Sequence, residues 1–428
     1  MHMLKKTGRG KILLLCCIFL FLTTGCWGAR ETDELGYILA MGIDKGKESE
    51  LHITFQIAIL GGGGDKISGE KGTELYTIEA ASVFGALQLA NAFASKNLTL
   101  IHNRAVVVSD EIAKEGLGEY INTFIRSREI RRNTFLFVTP GQAANVLKNN
   151  KPLLESNPSR QLELIMGAEN FAGFIPTTSI HEINTAMKSP GREAVAALIG
   201  VNEGKETEKK DQGLEEKIRE EVAYLPGQIP RQGGNKIDII GLAVFKGDKL
   251  VGYLDGSQTR YYQMVKGSFN SAIFTFPDPR KPEEFVLEIK IKKGRNPAIK
   301  AKFVDNIPQI EVSLFLEAEI ISIASGIDYE TGKMEHELEQ YLERYITAEI
   351  SKLVSKTQEE YQSDIFGFGE YTRKNFLTWQ KWQDYDWLGK YPDAQISVNT
   401  NLAIRRTGLM SNTTELPANK KEGEKVNE

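Results

Sequence analysis

Apolar and polar residues alternate most regularly in the last third of the chain. The alternating segments are residues 285–292, 299–303, 310–318 and 396–404. Because successive side chains of a strand point to opposite faces of a sheet, this alternation predicts four strands, each with one apolar and one mostly polar face.

A helical pattern lies between the last two of these segments and covers residues 333–361. Its inward side chains recur every three or four residues, at Leu338, Leu342, Ile346, Ile350, Leu353 and Thr357. One long amphipathic helix covering a one-sided antiparallel sheet would bury both apolar faces, and we expect that arrangement here.

The part of the chain before residue 140 alternates between strand and helix patterns. Strands are predicted at residues 33–44, 51–60, 104–108 and 133–138. A helix is predicted at residues 79–95, and a second helical pattern contains Leu117, Ile121 and Ile125. Strands that alternate with helices are typical of an α/β domain, which we expect to end near residue 140.

The middle of the chain is less regular. Residues 142–197 have a mainly helical pattern that prolines interrupt, and residues 237–254 are typical of a hairpin around a Lys-Gly-Asp-Lys turn. Residues 202–221 are dense in Lys and Glu, which predicts a solvated loop or an exposed helix.

These patterns predict an α+β protein with three mixed α/β domains, at residues 26–140, 141–265 and 266–410. The last is the antiparallel sheet with the long helix. A chain of 428 residues with 41% hydrophobic content is long enough for two or three cores. The polar residues 411–428 predict a disordered tail.

The first residues have the organisation of a secretory signal. Lys5, Lys6, Arg9 and Lys11 precede a short apolar run at residues 12–22, and small residues follow up to Cys26. A transmembrane helix needs about 20 apolar residues, so this run is short for one. The small residues before Cys26 resemble a lipobox, although Thr23 stands where Leu is usual. Residues 1–25 are therefore predicted to be a lipoprotein signal peptide, and the alternatives are a plain signal peptide with an incidental cysteine and an uncleaved N-terminal helix.

Lipid on Cys26 would explain how such a chain stays at a membrane. One acyl chain holds a protein marginally, whereas two or more hold it stably. We therefore expect diacylglycerol and an N-acyl lipid on Cys26, with no other cofactor. Trp27 would then lie at the level of the lipid headgroups, where indole rings are favoured.

Charge and cysteine content limit the other classes of function. The net charge is -4, and the first 25 residues carry four basic and no acidic side chains, so the chain from Cys26 onward has a charge of -8. An acidic chain argues against a nucleic-acid partner. Two of the three cysteines, Cys16 and Cys17, lie in the apolar run, so the processed chain has no cysteine pair for a disulfide.

Motifs for catalysis or metal binding are incomplete. His336 and Glu337 begin a HExxH pattern, but Gln340 replaces the second histidine, and Thr185 does the same after His181. No GxSxG motif is present. These failures predict a protein that is not an enzyme and holds no metal.

An aromatic and glycine-rich segment follows the predicted long helix. In one interpretation its two phenylalanines anchor the helix end in the core; in the other they form part of a partner-facing surface, where aromatic residues concentrate. Trp379, Trp382 and Trp387 allow the same two interpretations. The candidate residues are Asp364, Phe366, Gly367, Phe368, Gly369 and Trp387.

Several segments, taken together and in this order, resemble the Ger(x)C family, the C subunits of spore germinant receptors. Gly28 stands where the family usually has Asp after Cys26 and Trp27. The matching segments are Gly25-Cys26-Trp27, Glu34-Leu35, Gly42-Ile43-Asp44, residues 241–246, Gly252-Tyr253-Leu254, Gln358, residues 363–369, Trp387 and residues 405–409.

The resemblance implies three α+β domains and a non-enzymatic lipoprotein on the outer face of the inner spore membrane. It also implies germinant receptor A and B subunits as partners. Two other functions share the lipid anchor: a substrate-binding lipoprotein of an uptake system, which needs a ligand cleft, and a lipid-anchored cell-wall enzyme.

Overall fold

The computed structural model describes residues 34–47, 50–59, 72–152, 154–155, 157–167, 173–176, 178–204, 222–408 and 413. The predicted signal sequence, Cys26 and Trp27 lie outside the described residues. Most of the charged segment 202–221 and of the tail 411–428 also lies outside them.

Nine strands form the first sheet, in the order β3-β2-β1-β5-β6-β7-β8-β9, with β4 paired to β1 at one end. Their bounds are β1 (Leu35–Lys45), β2 (Leu51–Ala58), β3 (Thr73–Ala80), β4 (Asn97–Thr99), β5 (Ala105–Ser109), β6 (Phe135–Thr139), β7 (Val195–Val201), β8 (Ile237–Lys246) and β9 (Lys249–Leu254). The central pairs β1/β5, β5/β6 and β6/β7 are parallel, and both ends of the sheet are antiparallel hairpins.

Helices cover both faces of this sheet, because parallel strands need crossovers that pack onto the faces. The helices are α1 (Val83–Ala90), α2 (Asp110–Glu115), α3 (Gly118–Arg126), α4 (Ala143–Asn149), α5 (Pro158–Gly167) and α6 (Ile180–Met187). One core lies under α1, α2, α3 and α6, and the other lies under α4 and α5.

Two sequence-based boundaries in this half are wrong. The segment 79–95 begins as the end of β3, and its helix starts only after Ser82, whose side chain accepts a hydrogen bond from the Gly85 backbone N–H at 3.1 Å. The segment 142–197 ends in β7, which is buried on both faces and therefore lacks the alternation of a half-exposed strand.

The second sheet has the order β10-β11-β12-β13. Its strands are β10 (Ser271–Pro277), β11 (Val286–Val304), β12 (Ile307–Ile323) and β13 (Gln395–Arg406), and α7 (Gly256–Lys266) leads into it. The predicted strands 285–292 and 299–303 are one strand, β11. The turn to β12 uses Asp305 and Asn306 with positive φ values of 49° and 64°, as a two-residue hairpin requires.

The long helix α8 (Gly332–Glu359) confirms the helical pattern, and all six of its predicted inward side chains are buried. The prediction of a fully antiparallel sheet is wrong at one strand, because β13 pairs in parallel with β12. A helix that carries the chain back along the sheet brings the next strand in parallel to the previous one. Short helices α9 (Phe368–Thr372), α10 (Trp379–Asp384) and α11 (Trp387–Lys390) fill the rest of this crossover.

The two sheets share a core and together give an α+β fold. Leu242 and Val244 of β8 belong to the same buried cluster as the inward face of the second sheet. The boundary predicted at residue 140 lies within the first sheet, between β6 and α4. The boundary predicted at residues 265–266 coincides with the end of α7, between the two sheets.

Candidate functional site: the turn at Asp364

The chain makes a tight turn around a buried carboxylate shortly after α8. Asp364 is completely buried. Its Oδ1 accepts a hydrogen bond from the Gly367 N–H at 2.8 Å, and its Oδ2 accepts from the Gly369 N–H at 2.9 Å and the Trp387 Nε1–H at 2.7 Å. One side chain therefore fixes both the turn and the start of α11.

Burial and hydrogen bonding act on this carboxylate in opposite directions. Burial raises the pKa of Asp364 to about 6, although the three N–H donors favour the ionised form and act to lower it. The Asp364 carboxylate alone accepts the hydrogen bonds of all three N–H donors.

Both glycines of this turn are required by its geometry. Gly367 has a φ of 74°, a left-handed conformation that glycine adopts without steric cost. A Cβ on Gly369 would overlap the Trp387 indole and would lie 2.7 Å from the Gly191 carbonyl oxygen. The GxG pattern therefore reflects close packing, with the backbone N–H groups turned toward Asp364.

The aromatic residues of the segment point into the protein. Phe366 and Phe368 stack on each other with ring centroids 5.0 Å apart, and Phe366 also contacts Tyr262. Phe366, Phe368 and Trp387 are 2%, 0% and 0% exposed. This burial favours the structural interpretation of the candidate residues over the partner-facing one.

The remaining tryptophans of this region differ in exposure. Trp382 is buried, and its Nε1–H donates to Thr372 Oγ1 at 3.1 Å. Trp379 packs against Trp382 at 4.9 Å between ring centroids and is 52% exposed. Of the three tryptophans that allowed two interpretations in the sequence, only Trp379 is largely exposed.

The turn also joins the second half of the protein to the first sheet. The Ser363 hydroxyl donates to the Phe245 carbonyl oxygen at 2.6 Å, and the Glu193 N–H donates to the Asp364 carbonyl oxygen at 2.9 Å. Phe245 lies in β8, and Glu193 lies just before β7. The turn and these contacts are called the Asp364 junction below.

Two ionisable residues of the junction had no signal in the sequence. Glu193 accepts a hydrogen bond from the Gly247 N–H at 2.9 Å, and burial, with a smaller contribution from the charge of Asp364, raises its pKa to about 7. Lys266 donates to the Phe366 carbonyl oxygen at 3.3 Å, and burial lowers its pKa. Neither residue belongs to a motif, and tertiary packing alone brings them to Asp364.

A small cavity of about 260 Å³ opens beside the junction. Its walls include Glu182, Arg192, Glu193, Tyr262 and Lys266. Opposite charges face each other here, and Arg192 pairs with Glu370 at 3.3 Å. The charged groups thus compensate one another.

Among the described residues, no group of three or more His, Cys, Asp or Glu side chains is placed to hold a metal ion. The same part of the chain contains no helix that is both long and apolar enough to span a membrane.

Several of the segments that carried the family resemblance meet at or beside the junction. Tyr361 covers Gly252, where a Cβ would overlap its ring, and the Tyr361 hydroxyl donates to the Tyr253 carbonyl oxygen at 2.8 Å. Gln358 Nε2 donates to the carbonyl oxygens of Tyr391 and Ala394 at 2.9 and 2.8 Å. Residues more than 100 positions apart in the chain therefore form one packed unit.

Two family models match the chain in the order of its two halves. Residues 28–201 match "Spore germination protein N-terminal domain", and residues 240–408 match "Spore germination B3/ GerAC like, C-terminal". The chain belongs to the Ger(x)C family. The resemblance seen in the sequence is thereby confirmed over most of its length.

Curated relatives of this Ger(x)C chain align over nearly its full length. Spore germination protein KC of Bacillus subtilis (strain 168) is 25% identical, with 96% of this chain and 98% of the relative covered. Spore germination protein YndF of the same organism is 21% identical, with 93% and 96% covered.

A solved structure shares the fold. The crystal structure of the GerBC protein superposes with a TM-score of 0.51 at 15% identity, covering 85% of this chain and 96% of that one. In general terms, the family gives the chain the role of a germinant receptor C subunit.

Proposed function

We propose that this chain is a non-enzymatic lipoprotein subunit of a spore germinant receptor, needed for receptor assembly and for nutrient-triggered germination signalling. Diacylglycerol and an N-acyl lipid on Cys26 hold it on the outer face of the inner spore membrane. The receptor's A and B subunits lie beside it.

The observation that carries this proposal is the match of both halves of the chain to one family, in order and over nearly full-length relatives. Contacts between the first sheet and the chain after α8 involve segments that resemble the family, at residues 241–246, 252–254 and 363–369. Support for the anchor comes from the sequence alone, in the basic residues, the apolar run and the small residues before Cys26.

A binding and signalling role suits the chemistry of the junction. Its buried carboxylates accept hydrogen bonds from backbone N–H groups, and its buried lysine donates to a backbone carbonyl oxygen. These hydrogen bonds stabilise the packing of the junction.

The anchor is tested by Cys26→Ala in sporulating cells, with Cys17→Ala as the matched control. We expect Cys26→Ala to leave the domains folded, to shift the chain from the membrane to the aqueous fraction and to weaken the germination response. Cys17→Ala keeps the acceptor thiol and should behave as the wild type. Mass spectrometry of the N-terminal peptide reports the lipid directly, and an unmodified Cys26 in the wild type contradicts the anchor.

The receptor role is tested by co-purification from spore membranes. The tagged chain should recover the A and B subunits of its receptor. A chain that returns alone, and that binds a small nutrient tightly in calorimetry, favours a substrate-binding lipoprotein instead.

A further inference from the structure

The segment that contains α1 carries no charged residue of its own, although Glu34 and Lys96 lie beside its C-terminal end. From Ala80 to Ser95 the chain has no Asp, Glu, Lys or Arg. Three large apolar side chains within it are exposed to solvent: Phe84 at 37%, Leu89 at 51% and Phe93 at 60%. These three side chains are called the α1 apolar surface below.

Packing within the chain explains only part of this surface: the Phe93 ring lies 5.2 Å from the Tyr76 ring, between centroids, and Phe93 is still 60% exposed. Val83, Ala86 and Ala90 form the inward side of α1 and are buried against the first sheet. The three exposed side chains are therefore not needed for this packing. A helix that faces only water normally carries charged residues on its outer side. The outer side of α8 follows this rule, for example in the pair between Lys352 and Glu349.

The α1 apolar surface lies where the chain enters the fold. The Asn97 N–H donates to the Glu34 carbonyl oxygen at 2.9 Å, and Leu35 pairs with Asn97 between β1 and β4. Glu34 is the first described residue. Its partner Asn97 follows Phe93 by four positions in the sequence, so Phe93 lies near the point where the chain enters the fold.

The chain between Glu34 and Cys26 limits how far this end of the molecule can lie from the lipid. Seven residues lie between Cys26 and Glu34, so eight Cα-to-Cα steps join them. A fully extended chain spans at most about 3.5 Å per residue, so the tether reaches about 28 Å at most. A lipid on Cys26 therefore keeps the entry point, with the adjoining α1, close to the membrane.

We propose that the α1 apolar surface, formed by Phe84, Leu89 and Phe93, rests in the headgroup region of the membrane that holds the lipid on Cys26. The inference depends on the lipid anchor of the proposed function. Exposed aromatic and aliphatic side chains are typical of such contacts, in which apolar groups are buried at the headgroup boundary. Because the three contacting side chains carry no charge, their insertion does not require anionic lipid and should be insensitive to salt.

Site-specific fluorescence tests this contact in the full chain. Leu89→Cys and, as the matched control, Leu377→Cys are each made with Cys16 and Cys17 replaced by Ala. Leu377 is also an exposed leucine, 91% exposed, in the second half of the protein. The lipid-modified variants are labelled with a polarity-sensitive dye and reconstituted into protein-free phosphatidylcholine vesicles that contain a spin-labelled phospholipid.

The expected result is strong quenching of the Leu89 dye by the spin-labelled lipid, unchanged at high salt, with the Leu377 dye unaffected. Equal and weak quenching of the two dyes on a lipid-modified chain overturns the α1 contact and leaves the anchor standing. A Leu89 dye that is shielded in spore membranes but not in protein-free vesicles also overturns it, because the surface then faces a protein.

Mass spectrometry of the same samples separates this inference from the proposed function. An unmodified Cys26 with an unquenched Leu89 dye refutes both. An unmodified Cys26 with a quenched Leu89 dye also overturns the inference, because α1 would then reach the membrane without the tether on which the inference depends.

Discussion

At the scale of single residues, Asp364 organises the site. Its two carboxylate oxygens satisfy three N–H donors that have no water to turn to, since the side chain and its surroundings are buried. A buried donor left without an acceptor costs about 1–3 kcal/mol. The carboxylate therefore stabilises the turn mainly by preventing that loss.

We expect Asp364→Asn to lower the free energy of unfolding by about 3 kcal/mol, because one amide N–H must then face a backbone or indole N–H. Urea unfolding followed by circular dichroism measures the change. Asp384→Asn is the matched control, since Asp384 is exposed and accepts a single bond from Gln380. Similar stabilities for the two variants would show that Asp364 is not a structural acceptor.

The sequence identified part of this site. Phe366, Gly367, Phe368 and Gly369 stood out because aromatic and glycine residues alternate there, which is unusual after a helix. Glu193 could not be found in the same way, because it lies in a segment with a helical pattern and reaches Asp364 only through the packing of the two sheets.

At the scale of elements, α8 connects the strongest sequence pattern to the second core. Leu342 is completely buried between the helix and the sheet. Removing its side chain leaves a cavity that a close-packed core fills only partly, because neighbouring side chains are already in contact.

Leu342→Ala should lower the free energy of unfolding by about 3 kcal/mol, from lost burial and the cavity together. Leu377→Ala makes the same chemical change at a side chain that is 91% exposed and should cost less than about 0.5 kcal/mol. Thermal and urea unfolding of the two variants provide the comparison. Equal effects would mean that the α8 face is not packed as described.

The direction of β13 relative to β12 could not be predicted from the sequence pattern of the strand itself. Its alternation fits a parallel or an antiparallel strand equally well, because side chains alternate in both. The crossover through α8, α9, α10 and α11 decides the direction.

At the scale of the whole molecule, the burial of Glu193 at the Asp364 junction makes the stability of the fold depend on pH. Burial raises the pKa of Glu193 from 4.5 to about 7, so the folded protein holds a proton that the unfolded chain releases between these values. The stabilising effect of this proton is complete below pH 4.5 and is lost as the pH rises through 7.

The wild type should therefore lose stability relative to Glu193→Gln as the pH rises from 5 to about 8, because only the wild type releases this proton. Urea unfolding at a series of pH values gives the difference between the two proteins. Gly141→Ala adds no titratable group in an open position, so its difference from the wild type should not change with pH. Parallel curves for wild type and Glu193→Gln would contradict the role of Glu193.

The sequence by itself determined the local elements with a clear period, including α8, the hairpin of β8 and β9, and the strands β11, β12 and β13, whereas β10 was not predicted. These depend on neighbours in the chain, whose spacing fixes which face is apolar. Tertiary structure alone decided the continuous nine-stranded sheet, the parallel β13 and the meeting of Glu193 with Asp364. Each of these joins distant residues, and a contact between them becomes favourable only when both cores are packed.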